Sequence, residues 1–287
     1  GKYFVEGDQY YAQFHWKVQP QHISFADAHK VFVTAYPTYA KNDFSCRICN
    51  ESLNGDPVSV KDVERDIDTY LASQFAPGNL APGVTQAVDA ADAEPMHFRR
   101  IVLHVTWRLN VDNPNKTSTK DEVRTLTNVG GPYVQSLSQD YKNGALVSQL
   151  FDVSYRGVFS LKNEWVNVSN AFAPQPMEVK SFEHFVPISA IATGMRFTFH
   201  FGAHDQSPGD GDNTAACVSE GTVSAATLYP TLDGNGIKLV CSDYGTNNVL
   251  GGRMRYVYLP QYGVGIPVSA DTALGVDEAM LTGITIE

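Results

Sequence analysis

The most regular pattern in the chain is an alternation of apolar and mixed positions between Phe98 and Val111. Successive side chains of a β-strand point to opposite faces, so an apolar residue at every second position predicts a strand with one apolar face. At about 3.3 Å per residue, the eleven positions from Ile101 onward predict a strand of roughly 36 Å, whose apolar face needs an opposing layer. The alternating apolar residues are Ile101, Leu103, Val105, Trp107, Leu109 and Val111.

Shorter segments of β-branched, aromatic and alternating residues predict further strands, about nine or ten in all. Breaks are expected near Gly157 and at Lys162–Asn163, where turn-forming and polar residues interrupt the pattern. The predicted segments are 10–18, 31–36, 145–161, 164–168, 197–201, 237–241, 254–260 and 281–286.

One segment has the period of a helix, over about residues 57–75. The pair Asp56–Pro57 is a favourable helix start, with a capping side chain followed by proline at the first helical position. Pro77–Gly78 ends the segment, and residues 76–95, rich in Ala, Pro, Gly and Asp, predict a loop or a loose helical turn. The apolar face consists of Val60, Val63, Ile67, Tyr70, Leu71 and Phe75.

Strands separated by long Pro/Gly-rich segments favour antiparallel pairing over βαβ units. We therefore predict an all-β fold, an antiparallel jelly-roll β-sandwich with one inserted helix and long loops. No linker stands out in the middle of the chain, so a single domain over residues 1–287 is favoured over two stacked smaller sandwiches.

The charge of the chain is acidic, with 31 Asp and Glu against 21 Lys and Arg and a net charge of −10. The densest basic pairs, Arg99–Arg100 and Arg253-x-Arg255, lie inside strand patterns and not in a basic tail. Direct binding to nucleic acid is therefore not expected. No stretch approaches 18 apolar residues, so no membrane span is predicted either.

Two short motifs have the spacing of metal ligands. Cys46 and Cys49 are two residues apart, like the first half of a RING-type zinc module, but a second pair at the required spacing is missing; free thiols or a local disulfide are the alternatives. His200 and His204 share a face on a strand and are followed by Asp205. Histidines that face solvent at a strand end are the alternative for this motif.

A third candidate is the acidic segment that contains Asp205, Asp210 and Asp212, which alternate with glycine and resemble part of a calcium loop. The EF-hand spacing and its closing glutamate are missing, so an acidic surface turn is the alternative. Cys217 and Cys241 are the remaining cysteines, and four cysteines are too few for a disulfide scaffold.

Local catalytic motifs do not occur: there is no nucleophile elbow, no P-loop and no dinucleotide fingerprint. We therefore predict a protein that is not an enzyme and has no cofactor. Aromatic clusters predict either a platform for stacking sugars or cross-strand core packing. These clusters are Tyr10, Tyr11 and Trp16, and Tyr256, Tyr258 and Tyr262.

In its long strands, early helix, large Pro/Gly-rich loops and lack of catalytic motifs, the whole chain resembles viral jelly-roll capsid proteins. That resemblance implies a coat protein that self-assembles into an icosahedral shell, located in the virion, with other coat subunits and a host receptor as partners. It also makes the Asp205–Asp212 segment a candidate for Ca²⁺ at subunit contacts. Residues 1–287 contain no basic arm of the kind that many small capsid proteins use to hold the genome; an arm that precedes Gly1 and a genome held in another way are the alternatives.

Two alternatives remain open. The first is a secreted, extracellular carbohydrate-binding or adhesive β-sandwich, with its site in the aromatic and Asp/Asn-rich loops. The second is a metal hydrolase that uses His200, His204 and Asp205. Fold class alone does not decide between these functions.

Overall fold

The structure is a computed structural model, and it describes most of the chain after residue 66. The described ranges are 3–6, 9–12, 67–167, 177–189, 196–201, 213–245, 249–272 and 275–287. Contacts divide the chain into two compact units, of which the first comprises Gly1–Ile67 and Val166–Pro174. The second comprises Asp68–Trp165 and Gln175–Glu287. The single domain predicted over residues 1–287 stays a prediction.

The first unit contains one described hairpin, in which β1 (Tyr3–Glu6) pairs antiparallel with β2 (Gln9–Ala12). The second unit contains most of the described helices and strands. Helix α1 spans Ile67–Gln74 and α2 spans Pro82–Ala91. The strands are β3 (Arg100–Leu109), β4 (Ser118–Asn128), β5 (Tyr133–Lys142), β6 (Ala145–Tyr155), β7 (Phe159–Asn167), β8 (Met177–Glu178), β9 (Phe182–His184), β10 (Arg196–Phe201), β11 (Asn213–Ser224), β12 (Asn235–Gly245), β13 (Val249–Leu259), β14 (Val264–Thr272) and β15 (Gly275–Ile286).

These thirteen strands form one sheet in the order β8-β7-β6-β5-β4-β3-β15-β14-β13-β12-β11-β10-β9. Every neighbouring pair is consecutive along the chain except β3 with β15, which joins two meanders, β3–β8 and β9–β15. The predicted all-β class is therefore confirmed. The jelly-roll arrangement is not confirmed, because the thirteen strands β3–β15 form a single sheet of mostly next-neighbour hairpins rather than two sheets with Greek-key connections.

The sheet of the second unit must curl strongly. Its two edge strands, β8 and β9, are consecutive in the chain: β8 ends at Glu178, and β9 begins at Phe182. Four residue steps span at most about 14 Å, whereas thirteen strands laid flat would separate the edges by roughly 58 Å. The short link therefore holds the two edges of the sheet near each other.

The central strand β3 behaves as its alternation predicts. Ile101 and Leu103 are fully buried, and Val105 and Trp107 nearly so, while the intervening positions are exposed or half-buried. These residues form one core cluster with apolar side chains of both meanders. The cluster includes Leu126, Val134, Val257, Leu259, Val264 and Ile266.

Helix α1 confirms the end of the helix predicted over about residues 57–75; residues 57–66 lie outside the described chain. Helix α1 packs on the first meander. The side-chain amide of Gln135 donates to the carbonyl oxygens of Leu71 at 3.0 Å and Phe75 at 3.3 Å. The Tyr70 hydroxyl donates to Glu164 at 2.6 Å.

Two of the predicted boundaries are wrong. Where a loop or a loose helical turn was expected, the structure has the regular helix α2, because Pro82 sets the first helical turn and Val84 and Val88, one turn apart, are both fully buried. No strand break occurs at Lys162–Asn163 either: β7 continues through them. Lys162 is buried there with its ammonium 5.5 Å from the centre of the Phe75 ring, so a polar residue is accommodated inside the strand.

A buried ion pair ties the two meanders together. Arg156 donates from Nε to Asp92 Oδ2 at 2.7 Å and from Nη2 to Asp92 Oδ1 at 2.8 Å. The same guanidinium donates to the carbonyl oxygens of Glu94 and Gly263, at 2.6 and 3.2 Å. We call this group the Arg156 clamp. Gly263 has φ +73°, and a Cβ there would lie 2.7 Å from Arg156 Nη1, so glycine is required at this turn.

Candidate functional site

The metal ligands predicted from the sequence lie almost wholly outside the described residues. Only the backbone of His200 is described: it pairs with Thr214 of β11 and His184 of β9. Within the described ranges, no group of three or more His, Cys, Asp and Glu side chains could hold a metal ion. The residues outside are Cys46, Cys49, His204, Asp205, Asp210 and Asp212, so the zinc, calcium and hydrolase hypotheses stay predictions.

The described aromatic residues favour core packing over a sugar platform at the predicted positions. Tyr258 is almost fully buried, and Tyr262 packs against the core cluster of β3. The side chains of Tyr10, Tyr11 and Trp16 lie outside the described part of the chain.

A groove lies instead on one face of β11, β12 and β13. Its floor follows from strand alternation: Cys217, Leu239 and Cys241 are buried on one side of the sheet, so their neighbours point to the other. Those neighbours also face each other across the strands, since Val218 pairs with Val240 and Ala216 with Ser242. Val240 and Ser242 in turn pair with Arg255 and Arg253 of β13.

We call this feature the arginine groove; its volume is about 350 Å³. That volume is within the range typical of small-molecule sites. Its floor is apolar and its sides carry donors, acceptors and one aromatic ring. The lining residues are Ala216, Val218, Glu220, Val240, Ser242, Tyr244, Arg253 and Arg255.

Asp271 of β14 holds both arginines of the groove. Arg255 donates to the two carboxylate oxygens of Asp271, at 2.5 Å from Nη1 and 3.1 Å from Nη2. Arg253 donates once to Asp271, at 3.2 Å, and once from Nε to the Ser242 hydroxyl, at 3.3 Å. Arg255 is therefore held as a two-pronged fork, whereas Arg253 makes one hydrogen bond from each of two nitrogens, Nε and Nη1, to two different partners.

The electrostatics of the groove follow from these bonds. The hydrogen bond from Arg255, with the charges of Arg255 and Arg253, holds the pKa of Asp271 below its usual range. In return, the hydrogen bond and charge of Asp271, with a smaller contribution from Glu220, raise the pKa of Arg255. Asp271 and Arg255 therefore stay charged at neutral pH.

A disulfide lies directly behind the groove floor. Cys217 and Cys241 are paired across β11 and β12 and are joined by an S–S bond. Each cysteine is nearly fully buried, on the opposite side of the sheet from Ala216, Val218, Val240 and Ser242. The covalent bond therefore fixes the register of the two strands that supply the floor.

The first meander contains a second polar region, on the face that β4 shares with the apolar side of β3. Glu122 is buried and accepts hydrogen bonds from the Trp107 indole and from Arg124 Nε, the latter at 2.6 Å. Burial alone would raise the pKa of Glu122, but the charge of Arg124 and these hydrogen bonds lower it. Glu122 and Arg124 thus satisfy each other, and neither lines the arginine groove.

Asp152 of β6 is a buried acid close to this pair. Burial raises its pKa to about 6, although Ser160, Ser154 and Ser136 donate hydrogen bonds to it and Arg124 lies within electrostatic reach. Tyr256 of β13 also interacts with its charge, although β13 lies six strands from β6 in the sheet. The interaction between Asp152 and Tyr256 across six strands is a second indication that the sheet is curled.

One feature of the groove was visible in the sequence: the pair Arg253-x-Arg255 within a strand pattern. Residues two apart on a strand share a face, so the two guanidinium groups were bound to lie side by side. Asp271 and the floor residues could not be assigned, because they depend on which strands pair and in which register.

Comparisons with known proteins add little. No family model matches the chain, and no curated protein matches it. One solved structure, a β-barrel-like protein of the domain of unknown function DUF1849 from Brucella abortus, overlaps 67% of this chain and 99% of its own at a TM-score of 0.37 and 7% identity. An overlap of this quality carries no argument about function. None of the helices in the described residues is long and apolar enough to cross a membrane.

Proposed function

We propose that this chain is a non-catalytic ligand-binding module of an oxidising, extracellular compartment, and that the arginine groove is its binding site. The observation that carries the proposal is the groove itself, in which an apolar floor lies beside two charged forks held by one carboxylate. Small-molecule sites typically combine apolar walls with a few fixed polar groups.

The polar groups of the groove are held in place yet incompletely used. Among the described residues, Arg253 directs two of its five N–H groups at acceptors, Ser242 and Asp271. Its side chain is 38% exposed, so the remaining donors can reach a ligand. A fixed donor that still lacks acceptors is what a binding site requires.

The state of Asp271 supports binding without catalysis. A carboxylic acid that donates a proton in catalysis needs a raised pKa. The pKa of Asp271 is held low by Arg255, and both its oxygens already accept hydrogen bonds. Asp271 therefore serves to hold the two guanidinium groups and not to transfer protons.

The disulfide supports the proposed compartment. Disulfides persist in secreted and periplasmic proteins and are rare in the reducing cytosol. Cys217 and Cys241 are bonded and buried behind the groove floor. The coat-protein hypothesis, with its jelly-roll sandwich, virion location and self-assembly, stays a prediction, which the particle mass in light scattering tests directly.

The proposal is tested by filling the groove with a larger side chain and comparing which compounds the protein retains. Ala216→Phe places a ring on the floor, and Ala226→Phe makes the same change at an exposed position outside the groove. Each protein is incubated with a small-molecule extract of culture medium, washed, and its bound compounds are identified by mass spectrometry.

We expect the wild-type and Ala226→Phe proteins to retain a compound that Ala216→Phe does not. Equal retention by all three proteins, or retention by none, would overturn the groove as the site. A retained compound that changes mass on prolonged incubation would instead contradict binding without catalysis.

A further inference from the structure

The groove also indicates the class of its ligand. We infer that it takes an uncharged oligosaccharide, with Arg253 as the residue that contacts the sugar; this rests on the arginine groove being the binding site. The grounds are the balance of hydrogen-bond donors and acceptors, the balance of charge, and the different ways in which the two arginines are held.

Donors and acceptors lie side by side in the groove. Arg253 offers N–H donors, and Ser242, a hydroxyl, can both donate and accept. Glu220, at the bulge of β11, is exposed and offers carboxylate acceptors. A sugar hydroxyl is itself both donor and acceptor, so a row of hydroxyls matches a surface that alternates the two. A carboxylate or sulfate could use only the donors.

The charges around the groove cancel. Arg253 and Arg255 contribute two positive charges, and Asp271 and Glu220 contribute two negative ones. The chain as a whole carries −10, so no long-range field attracts an anion to this site. An uncharged ligand meets no repulsion in such a site, whereas an ion of either sign would meet a like charge nearby.

The floor and rim fit the apolar side of a sugar ring. Ala216, Val218 and Val240 form a shallow apolar floor, against which the C–H groups of a pyranose can pack. Tyr244 adds one half-buried aromatic ring to the lining. Aromatic side chains supply contact area together with a polar handle, which suits a ligand with both characters.

The two arginines have different parts. Arg255 is bound to both oxygens of Asp271 and also donates to the Ser269 hydroxyl at 3.5 Å, so it is a positioning residue. Among the described residues, Arg253 is held through Nε and Nη1, which leaves its Nη2 donors for a ligand. A lysine at position 253 would keep the charge but lose the planar fork of the guanidinium.

The test is isothermal titration calorimetry with two sets of hexasaccharides, each at 20 mM and 500 mM NaCl. The neutral set is cellohexaose, chitohexaose and mannohexaose; the charged set is hexagalacturonate and a heparin hexasaccharide. The proteins are wild type, Arg253→Ala, Arg253→Lys, Tyr244→Ala and the Ala226→Phe control. Circular dichroism and melting temperature establish that each variant is folded, and Tyr244→Ala tests the same groove if Arg253→Ala does not fold.

We expect a neutral hexasaccharide to bind wild type and Ala226→Phe with a Kd that changes less than about twofold with salt, since no ion pair is screened. Arg253→Ala and Arg253→Lys should both weaken it about tenfold or more, because each loses the same hydrogen bonds. Tyr244→Ala should weaken it as well.

Two results would overturn the inference while leaving the proposed function in place. One is binding of the charged set alone, steeply weakened by salt and partly kept by Arg253→Lys. The other is no binding of any hexasaccharide although Ala216→Phe still loses a retained compound. If the groove variants retain the same compounds as wild type, the proposed function fails together with the inference.

Discussion

The Arg156 clamp and the arginine groove use the same chemistry in opposite ways. In the clamp, Arg156 and Asp92 are 1% and 0% exposed, and the guanidinium donates four hydrogen bonds. In the groove, Arg253 and Arg255 are 38% and 36% exposed and share the single carboxylate of Asp271. The buried Arg156 uses four of its five N–H donors, whereas Arg253 in the groove uses two.

This difference in burial indicates that the clamp stabilises the fold, whereas the groove is suited to binding a ligand. Burial alone would raise the pKa of Asp92, but hydrogen bonds from Arg156 and Tyr155 outweigh it and lower the pKa. Removing one partner there strands a charge in the core. In the groove, water can solvate whatever a mutation exposes, so the same substitution should affect binding far more than stability.

The largest expected effect is loss of the clamp. Asp92→Ala leaves the Arg156 guanidinium buried without its carboxylate, and we expect the free energy of unfolding to fall by about 3–5 kcal/mol. Urea denaturation followed by circular dichroism measures the change. A loss below about 1 kcal/mol would mean that the clamp is no more structural than a surface ion pair.

The next largest effect is expected from loss of the disulfide, which joins the two strands of the groove floor, β11 and β12. For a closed loop of 24 residues, removing the bond in Cys217→Ala/Cys241→Ala should lower the free energy of unfolding by about 2–4 kcal/mol. Dithiothreitol should destabilise the wild-type protein similarly and leave the double variant unchanged. An equal effect of dithiothreitol on both proteins would contradict this role.

A third carboxylate, Asp152, is buried like Asp92 but lacks a two-pronged cation. Its pKa is raised from 3.8 to about 6, so the folded state holds its proton more tightly than the unfolded state. The resulting stability is full below about pH 4 and is lost as pH rises through about 6; a shift of about two units corresponds to roughly 3 kcal/mol.

Asp152→Asn keeps the shape and cannot ionise. Urea denaturation between pH 4.5 and 7.5 should show the wild type losing about 2–3 kcal/mol relative to this variant as pH rises. A difference that stays constant with pH would show that Asp152 is solvated rather than buried.

The smallest stability effect is expected in the groove itself. Asp271→Ala should change the free energy of unfolding by less than about 1 kcal/mol, because its ion pairs are partly exposed. The same variant should weaken ligand binding, since both guanidinium groups lose their anchor. A large loss of stability with unchanged ligand binding would contradict this prediction, since Asp271 would then stabilise the fold as Asp92 does.

The local pattern predicted the elements better than their arrangement. The alternation around Leu103 predicted β3 and its buried face, because that signal is set by neighbouring residues. Four long strands, β4, β5, β11 and β14, were missed. In β4 and β5, the polar residues Glu122, Ser138 and Asp140 are buried against other polar groups and interrupt the apolar alternation. The sheet order depends on contacts that no local pattern encodes.

The site was less predictable for the same reason. Cys217 and Cys241 are 24 residues apart and meet only because β11 and β12 pair in one register. Asp271 reaches Arg253 through the pairing of β13 with β14. A one-residue slip in either hairpin would turn these side chains to the other face, so the groove exists only once the register is fixed.

The junction between β3 and β15 sets the order in which this sheet can assemble. Each meander consists of hairpins that close short loops, whereas Ile101 must find Ile286 across most of the chain. Non-local pairing of this kind is slow, so we expect the two halves to form first and join last. Until they join, β3 and β15 each present an unpaired edge, which makes the half-assembled chain the species most prone to aggregate.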